Sequence, residues 1–212
     1  MKSVLISMAL ALACTTAGAS AAPLRGNNDA YSRQAATNFA RCVANISPAA
    51  SRRLLAMDFR SAEYGQALRK LMRGHSRCIP RHGELRGAGV LLSGALAETF
   101  LAQDVEGSLP AALRFDPARP AIVSRSESET AALCIVRTAP AGVARLVGSP
   151  IGSEAEKKAA APVAKLLPSC LASNVSMTLN VPALRALVAL AAYRVAVTNG
   201  AVRGVTVNGA VN

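Results

Sequence analysis

The sequence predicts an all-α fold made of two tandem homologous units of about four helices each, with one disulfide per unit. Three observations support this prediction: the composition, a cysteine interval that occurs twice, and apolar residues at helical spacing. Alanine, leucine, valine and arginine are abundant, whereas aromatic residues make up 3% of the chain and tryptophan is absent. Such a composition favours helices over strands.

The same interval separates the cysteines of each pair. Cys42 lies 36 positions before Cys78, and Cys134 lies 36 positions before Cys170. A shift of 92 positions superimposes both pairs and gives eight identities over positions 42 to 79, among them Pro48 on Pro140. Four cysteines allow three pairings. A duplicated unit that carries its own bridge predicts Cys42–Cys78 and Cys134–Cys170, each stabilising the fold by roughly 4 kcal/mol.

Residues 1–21 have the plan of a secretory signal peptide, with Lys2, an apolar stretch and an Ala-Ser-Ala cleavage site. We expect cleavage after Ala21 and a periplasmic or secreted chain. The alternative is a lipoprotein acylated at Cys14, but Ala11 stands where that signal has a leucine. An exported chain with four remaining cysteines is typical of a protein with two disulfides.

Helical repeat unit 1 is predicted over residues 31–104. Its first helix ends near Ile46, and Pro48 begins the second because proline suits the first helical turn. Ser61 caps a third helix that is predicted to continue to Cys78, where Pro80 stops it. The fourth helix is predicted from residue 87 to about residue 103.

A short Pro/Gly-rich linker, residues 105–125, precedes unit 2 at 126–197, and residues 198–212 form a C-terminal tail with a short strand pair or a loose end. The helices of unit 2 are predicted to begin at Ser126, Pro140, Ser153 and Pro182. Ser153 and Glu156 fit a capping box, and Pro162 is expected to kink or split its helix. The last helix is expected to be a buried core helix, because Arg185 and Arg194 make it too charged for a membrane span.

The charge pattern gives the main candidate binding surface. The chain has a formal net charge of +12, and removal of Lys2 with the signal peptide leaves +11. The possible anion-binding face comprises Arg52, Arg53, Arg69, Lys70, Arg73, Arg77 and Arg81. It suits anionic envelope lipid, acidic polysaccharide or an acidic protein, unless it is simply a solvated face. Export and the scarcity of aromatic side chains for base stacking argue against nucleic acid.

Catalytic chemistry has few candidate residues. His75 on the apolar side of the third helix, with His82 and Glu84 in the following loop, defines the one enzyme hypothesis, a hydrolase with its site in the groove between the units. His75 also fits a boundary residue with one hydrogen bond. The spacing His75, Cys78 and His82 is broken by Pro80, so we expect neither a metal nor a cofactor. The sequence therefore favours an exported non-catalytic interaction or envelope-associated module, with the basic-face binder and the hydrolase as alternatives.

Overall fold

A computed structural model describes residues 26–79 and 89–205 of the chain. In these two ranges the protein is all helical, with nine α-helices and no β-strand, so the predicted fold class is confirmed. Some predictions fall outside the described residues: the signal segment, Arg81, His82, Glu84 and residues 206–212 of the tail. The helices are α1 Gly26–Ile46, α2 Pro48–Ala56, α3 Ala62–Gly74, α4 Gly89–Asp104, α5 Leu109–Ala112, α6 Glu127–Thr138, α7 Pro140–Gly148, α8 Glu154–Ala164 and α9 Val181–Thr198.

Polar caps and prolines begin the helices where the sequence predicts. The hydroxyl groups of Ser61, Ser126 and Ser153 each accept a hydrogen bond from the backbone N–H three residues later. These bonds satisfy N–H groups that have no partner within the helix. Pro48 and Pro140 occupy the first position of α2 and α7.

Two predicted helix ends need correction. α3 ends at Gly74, four residues before Cys78, and a 3₁₀ turn over Ser76–Cys78 completes the path to the cysteine. Glycine is a poor helix former, and His75 after it has a non-helical backbone with φ −128° and ψ 39°. α8 contains Pro162 in its last turn and ends at Ala164, so the proline lies close to the end of this helix and does not divide it.

The centre of the fold is the pair α4 and α9, which lie against each other. α1 packs on α4, and α6 packs on α9. The backbones of the central pair approach closely at Gly94, where an added Cβ would lie 2.6 Å from the Cα of Ala186. Buried apolar side chains from Phe39 to Val202 form one cluster, so both halves of the chain contribute to a single core.

α9 has the length and apolar character of a membrane-crossing helix. However, 67% of this 18-residue stretch is buried inside the protein. Its neighbours are α4, α6, α7 and α8. α9 is therefore a core helix of this fold, as the sequence predicts.

The segment between the predicted units is attached to the core. α5 packs on α7, and the side chain of Leu113 is fully buried. Val105 forms an isolated antiparallel bridge with Val202, flanked by hydrogen bonds from Glu106 N to Ala201 O and from Arg203 N to Asp104 O. These contacts hold the start of this segment beside the residues that follow α9.

Candidate functional site

Two disulfides join the helices in the same way in each half of the chain. Cys42 of α1 is bonded to Cys78, with Cα atoms 5.7 Å apart. Cys134 of α6 is bonded to Cys170, with Cα atoms 5.6 Å apart. This is the pairing that the equal intervals predict. Because all four sulfur atoms are in disulfides, none of these cysteines offers a thiol for catalysis.

Exposed cations line the outer side of α3 and the turn after it. We call Arg69, Lys70, Arg73 and Arg77 the basic face, and all four side chains are exposed. No carboxylate of the described residues forms an ion pair with any of them. Arg53 of α2 is also exposed, whereas Arg81 falls in the undescribed segment.

Arg52 does not belong to this exposed surface. Its side chain is three-quarters buried and its Nη2 lies 2.6 Å from Asp104 Oδ2 at the end of α4. The guanidinium also lies over the ring of Phe100, 4.9 Å from its centroid. Arg52 therefore connects α2 to α4, and its inclusion in the predicted anion-binding face is a misassignment from sequence.

His75 contacts residues of the first half of the chain. Its Nδ1 lies 2.9 Å from Leu71 O, and its Nε2 lies 2.7 Å from Ser47 Oγ. Because a carbonyl oxygen can only accept, Nδ1 donates to Leu71, and in the neutral ring Nε2 accepts from the Ser47 hydroxyl. The imidazole thus joins the end of α3 to the junction of α1 and α2. Within the described residues, no group of three or more His, Cys, Asp and Glu side chains is placed to hold a metal ion.

A buried ion network connects four helices. Arg185 of α9, 4% exposed, donates to both carboxylate oxygens of Glu98 of α4 at 2.8 Å each. Its Nη1 also lies 3.0 Å from Oε1 of Glu156 at the start of α8. Arg33 of α1 binds both oxygens of Glu156, with Nη1 3.0 Å from Oε2. Two arginines and two glutamates balance in charge, which a buried network requires.

The protonation of this network follows from its contacts. Burial disfavours the charged form of Glu156, which is 1% exposed, but hydrogen bonds from Arg33, from Gly152 N and from Arg185 outweigh that effect. The pKa of Glu156 therefore lies below its ordinary value. Burial also disfavours the charged form of Arg185. The adjacent Glu98 and Glu156 outweigh this effect and raise its pKa above the ordinary value. Both groups remain ionised at neutral pH.

A second ionic cluster lies where α6 begins. Arg194 of α9 forms an ion pair with Glu129, and Arg60 pairs with Asp58 at 2.9 Å.

Arg125 belongs to the same cluster. It donates from its two terminal nitrogens to Met57 O at 2.8 Å and to Ala56 O at 2.7 Å, at the end of α2. Burial and the charge of Arg194 lower the pKa of Arg125, although Glu129 and Asp58 act in the opposite direction.

Three residues of this cluster, Arg125, Glu129 and Arg194, help to line an open cleft between the two halves. The empty space of about 360 Å³ in this cleft includes open solvent. Its apolar walls come from Leu54, Leu55, Met57 and Phe59 of the α2 region and from Leu187 and Leu190 of α9. Ser93 of α4, Arg125, Glu129 and Arg194 supply the polar part.

Comparison with known proteins gives no relative. No protein-family model, no curated protein and no solved structure matches the chain. Any functional assignment therefore depends on the residues of this chain alone.

Sequence reasoning missed both ionic clusters, although part of their signal is local. Glu129 and Glu156 each stand three residues after a serine cap, and each carboxylate accepts from the N–H just before that serine, at Arg125 and Gly152. Each of these glutamates also binds an arginine of α9. The sequence shows the caps and the two arginines in an apolar helix, but not which carboxylate meets which arginine.

Proposed function

We propose that the chain is an exported, non-catalytic, envelope-associated protein that uses the basic face of α3 to bind an anionic envelope surface. The observation that carries this proposal is the contrast between inner and outer arginines. Arg33, Arg52, Arg185 and Arg194 are each paired with a carboxylate. The exposed cations of the basic face have no such partner within residues 26–79 and 89–205.

The electrostatics of α3 support binding to a surface. α3 and its turn, residues 62–78, contain four basic side chains and one acidic side chain, Glu63. Arg69 and Arg73 are four residues apart, and at 1.5 Å per residue their positions on the helix lie about 6 Å apart. Each basic side chain near an anionic membrane contributes about 1 kcal/mol of attraction. Four such residues together contribute about 4 kcal/mol of attraction to an anionic membrane without an apolar anchor.

The decisive test is sedimentation of the mature protein with vesicles rich in phosphatidylglycerol and with neutral phosphatidylcholine vesicles. We expect binding to the anionic vesicles alone, lost at high salt because counterions screen exposed charges. Replacement of Arg69, Lys70, Arg73 and Arg77 by glutamine should weaken binding by about 100- to 1,000-fold.

A matched control removes the same number of charges elsewhere. Arg145, Lys157, Lys158 and Lys165 are exposed basic residues of the second half. Their replacement by glutamine should leave most of the affinity intact. If both quadruple variants bind equally weakly, total charge and not the basic face determines binding, and the proposal fails.

We also propose that residues 1–21 act as a cleaved signal peptide. The two disulfides support this proposal, because such bonds persist in oxidising compartments. Amino-terminal sequencing of the processed protein should begin at Ala22, whereas a lipid-modified terminus at Cys14 would identify a lipoprotein instead.

The two tandem repeat units are part of the same proposal. Three pairs of helical elements begin at positions that are 92 residues apart. The first residues of these elements are Pro48 and Pro140, Ala62 and Glu154, and Ser76 and Pro168. The residues before the prolines share one unusual backbone, with φ −137° and ψ 61° at Ser47 and φ −137° and ψ 58° at Ala139. Such agreement supports one ancestral unit that was duplicated.

Hydrolysis at His75 is the second candidate function, supported by the 2.7 Å hydrogen bond from Ser47 to His75 Nε2. A histidine that accepts from a serine hydroxyl can activate that serine as a nucleophile. Labelling with a fluorophosphonate probe separates the candidates. The main proposal expects no labelling, and labelling that disappears in Ser47→Ala would establish the hydrolase.

A further inference from the structure

α3 buries little of its surface. Of its 13 residues, only Tyr64 and Leu71 are buried. It packs mainly on α2, and its two ends are attached separately. At the first end the Tyr64 hydroxyl donates to Gly89 O, and at the other the turn after the helix carries the Cys42–Cys78 disulfide. The middle of α3 therefore lies at the surface of the protein.

Two partly buried apolar side chains border the basic face. Leu68 and Met72 are four residues apart, so they lie on the same side of α3. Arg69 and Met72 are three residues apart and are therefore neighbours on the helix surface. The guanidinium of Arg69 lies back along the helix, where a Cβ added at Gly65 would be 3.4 Å from its Nη1. An apolar edge thus runs beside the cations of α3.

The helix at the corresponding position in the second half has a different surface. α8 begins 92 positions after α3, and an alanine stands 92 positions after each of Leu68, Arg69 and Met72. α8 packs on α7 and α9 with alanines at these positions. The larger apolar side chains and the arginine therefore distinguish α3 from α8.

A cationic face beside an apolar edge is typical of helices that lie in the plane of a membrane surface. The cations of such a helix bind anionic headgroups, while its apolar side chains enter the boundary with the acyl chains. A soluble acidic polysaccharide could neutralise the basic face, but it offers no apolar phase to Met72. We propose that α3 binds an anionic lipid bilayer as an interfacial helix, with Leu68 and Met72 inserted between the headgroups. This inference rests on the proposed surface binding and identifies its partner as lipid.

Sedimentation of the mature protein with phosphatidylglycerol vesicles tests the apolar contact through Met72. Met72→Ser keeps the charge of α3, and we expect about a tenfold loss of vesicle affinity, because less apolar surface leaves water on binding. Met72→Leu retains an apolar side chain and should bind as the parent does. Both variants should bind dextran sulfate, a soluble polyanion, as the parent does, because that contact uses the charges alone.

A fluorescent reporter follows insertion directly. The chain contains no tryptophan, so Met72→Trp adds a single indole at the apolar edge. With phosphatidylglycerol vesicles its emission should shift to shorter wavelength, and lipids brominated close to the headgroup should quench it. Ala164→Trp is the matched control, because it places the same indole at an exposed position of α8, and it should show neither effect. This measurement keeps the test valid if Met72→Ser fails to fold.

The outcomes separate this inference from the surface binding on which it rests. If the parent does not bind anionic vesicles, both proposals fail. If vesicle binding requires the basic face but is unchanged in Met72→Ser that is folded by circular dichroism, or gives no shift in Met72→Trp, the inference alone is overturned. An equal loss of affinity for vesicles and for dextran sulfate also overturns it, because Met72 would then maintain the structure of α3 without contacting lipid.

Discussion

At the scale of single residues, one helical position has different roles in the two halves. Tyr64 and Glu156 each donate their backbone N–H to the serine cap three residues earlier. The Tyr64 hydroxyl donates to Gly89 O at 2.9 Å and also contacts Ser93 Oγ. Glu156 instead holds Arg33 and Arg185. The backbone at this position is alike in both halves, while the side chain decides what it binds.

Glu156→Gln should destabilise the protein strongly at neutral pH. Loss of this carboxylate leaves Arg33 and Arg185 with one buried counterion, and breaking a buried pair costs about 3–5 kcal/mol. The folded-state pKa of Glu156 is lowered, so its contribution is present above an unfolded-state pKa of about 4.5 and is lost as the pH falls through the folded value. Urea unfolding over the acidic range should show that this part of the pH dependence is missing in the variant.

Glu154→Gln is the matched control for that measurement. Glu154 lies in the same helical turn, but its side chain is 75% exposed and pairs with the exposed Lys157. Its replacement should not change stability measurably. Equal stability of the two variants would show that the buried network contributes nothing beyond an exposed pair.

At the scale of helices, α2 and α7 are the simplest pair to compare. Each has nine residues and begins with proline directly after a one-residue break. Leu54 and Leu146 occupy the same position in the two helices, and both are buried. The two helices are therefore expected to be interchangeable in their fit to the core.

Replacement of residues 48–56 by a second copy of residues 140–148 tests the duplication. We expect a folded protein with both disulfides, as seen by circular dichroism and by mass spectrometry without reduction. Some stability should be lost, because Ala144 replaces Arg52 and removes its ion pair with Asp104. The control inserts the same segment one position later, which moves Leu146 off the core. Equal unfolding of both chimaeras would contradict the duplication.

A feature can be predicted from the sequence when the residues that cause it lie close together in the chain. Ser61, Ser126 and Ser153 are recognisable because a cap acts within three residues. The early end of α3 could have been suspected from Gly74. The partners of Arg185 could not have been predicted, because Glu98 is 87 residues away and the pattern of a single sequence carries no information about such pairs. Arg52 was misassigned for the same reason, since Asp104 is 52 residues away.

At the scale of the whole molecule, the two halves share their interior. The central helices α4 and α9 come from different halves, and one apolar cluster includes side chains of both. Arg33 in α1 reaches Glu156 in α8 across 123 residues. Neither half therefore has a complete core or a neutral ionic network without the other.

A single cooperative unfolding transition should follow from this shared interior. Scanning calorimetry of the oxidised protein should give a calorimetric enthalpy equal to the van't Hoff enthalpy. Two separate transitions, or independent folding of a fragment that contains residues 105–205 alone, would show that the halves are autonomous domains.

The position of α9 after its partner helices in the sequence affects the order of folding. Its arginines leave the ribosome after the carboxylates that they bind, and Glu98 precedes Arg185 by 87 residues. At about 5–20 residues per second, that carboxylate waits about 4–17 seconds for its partner. Until then the central helix α4 has α1 to pack on but lacks α9. The nascent chain is thus kept from reaching its final state by the sequence order of its own helices.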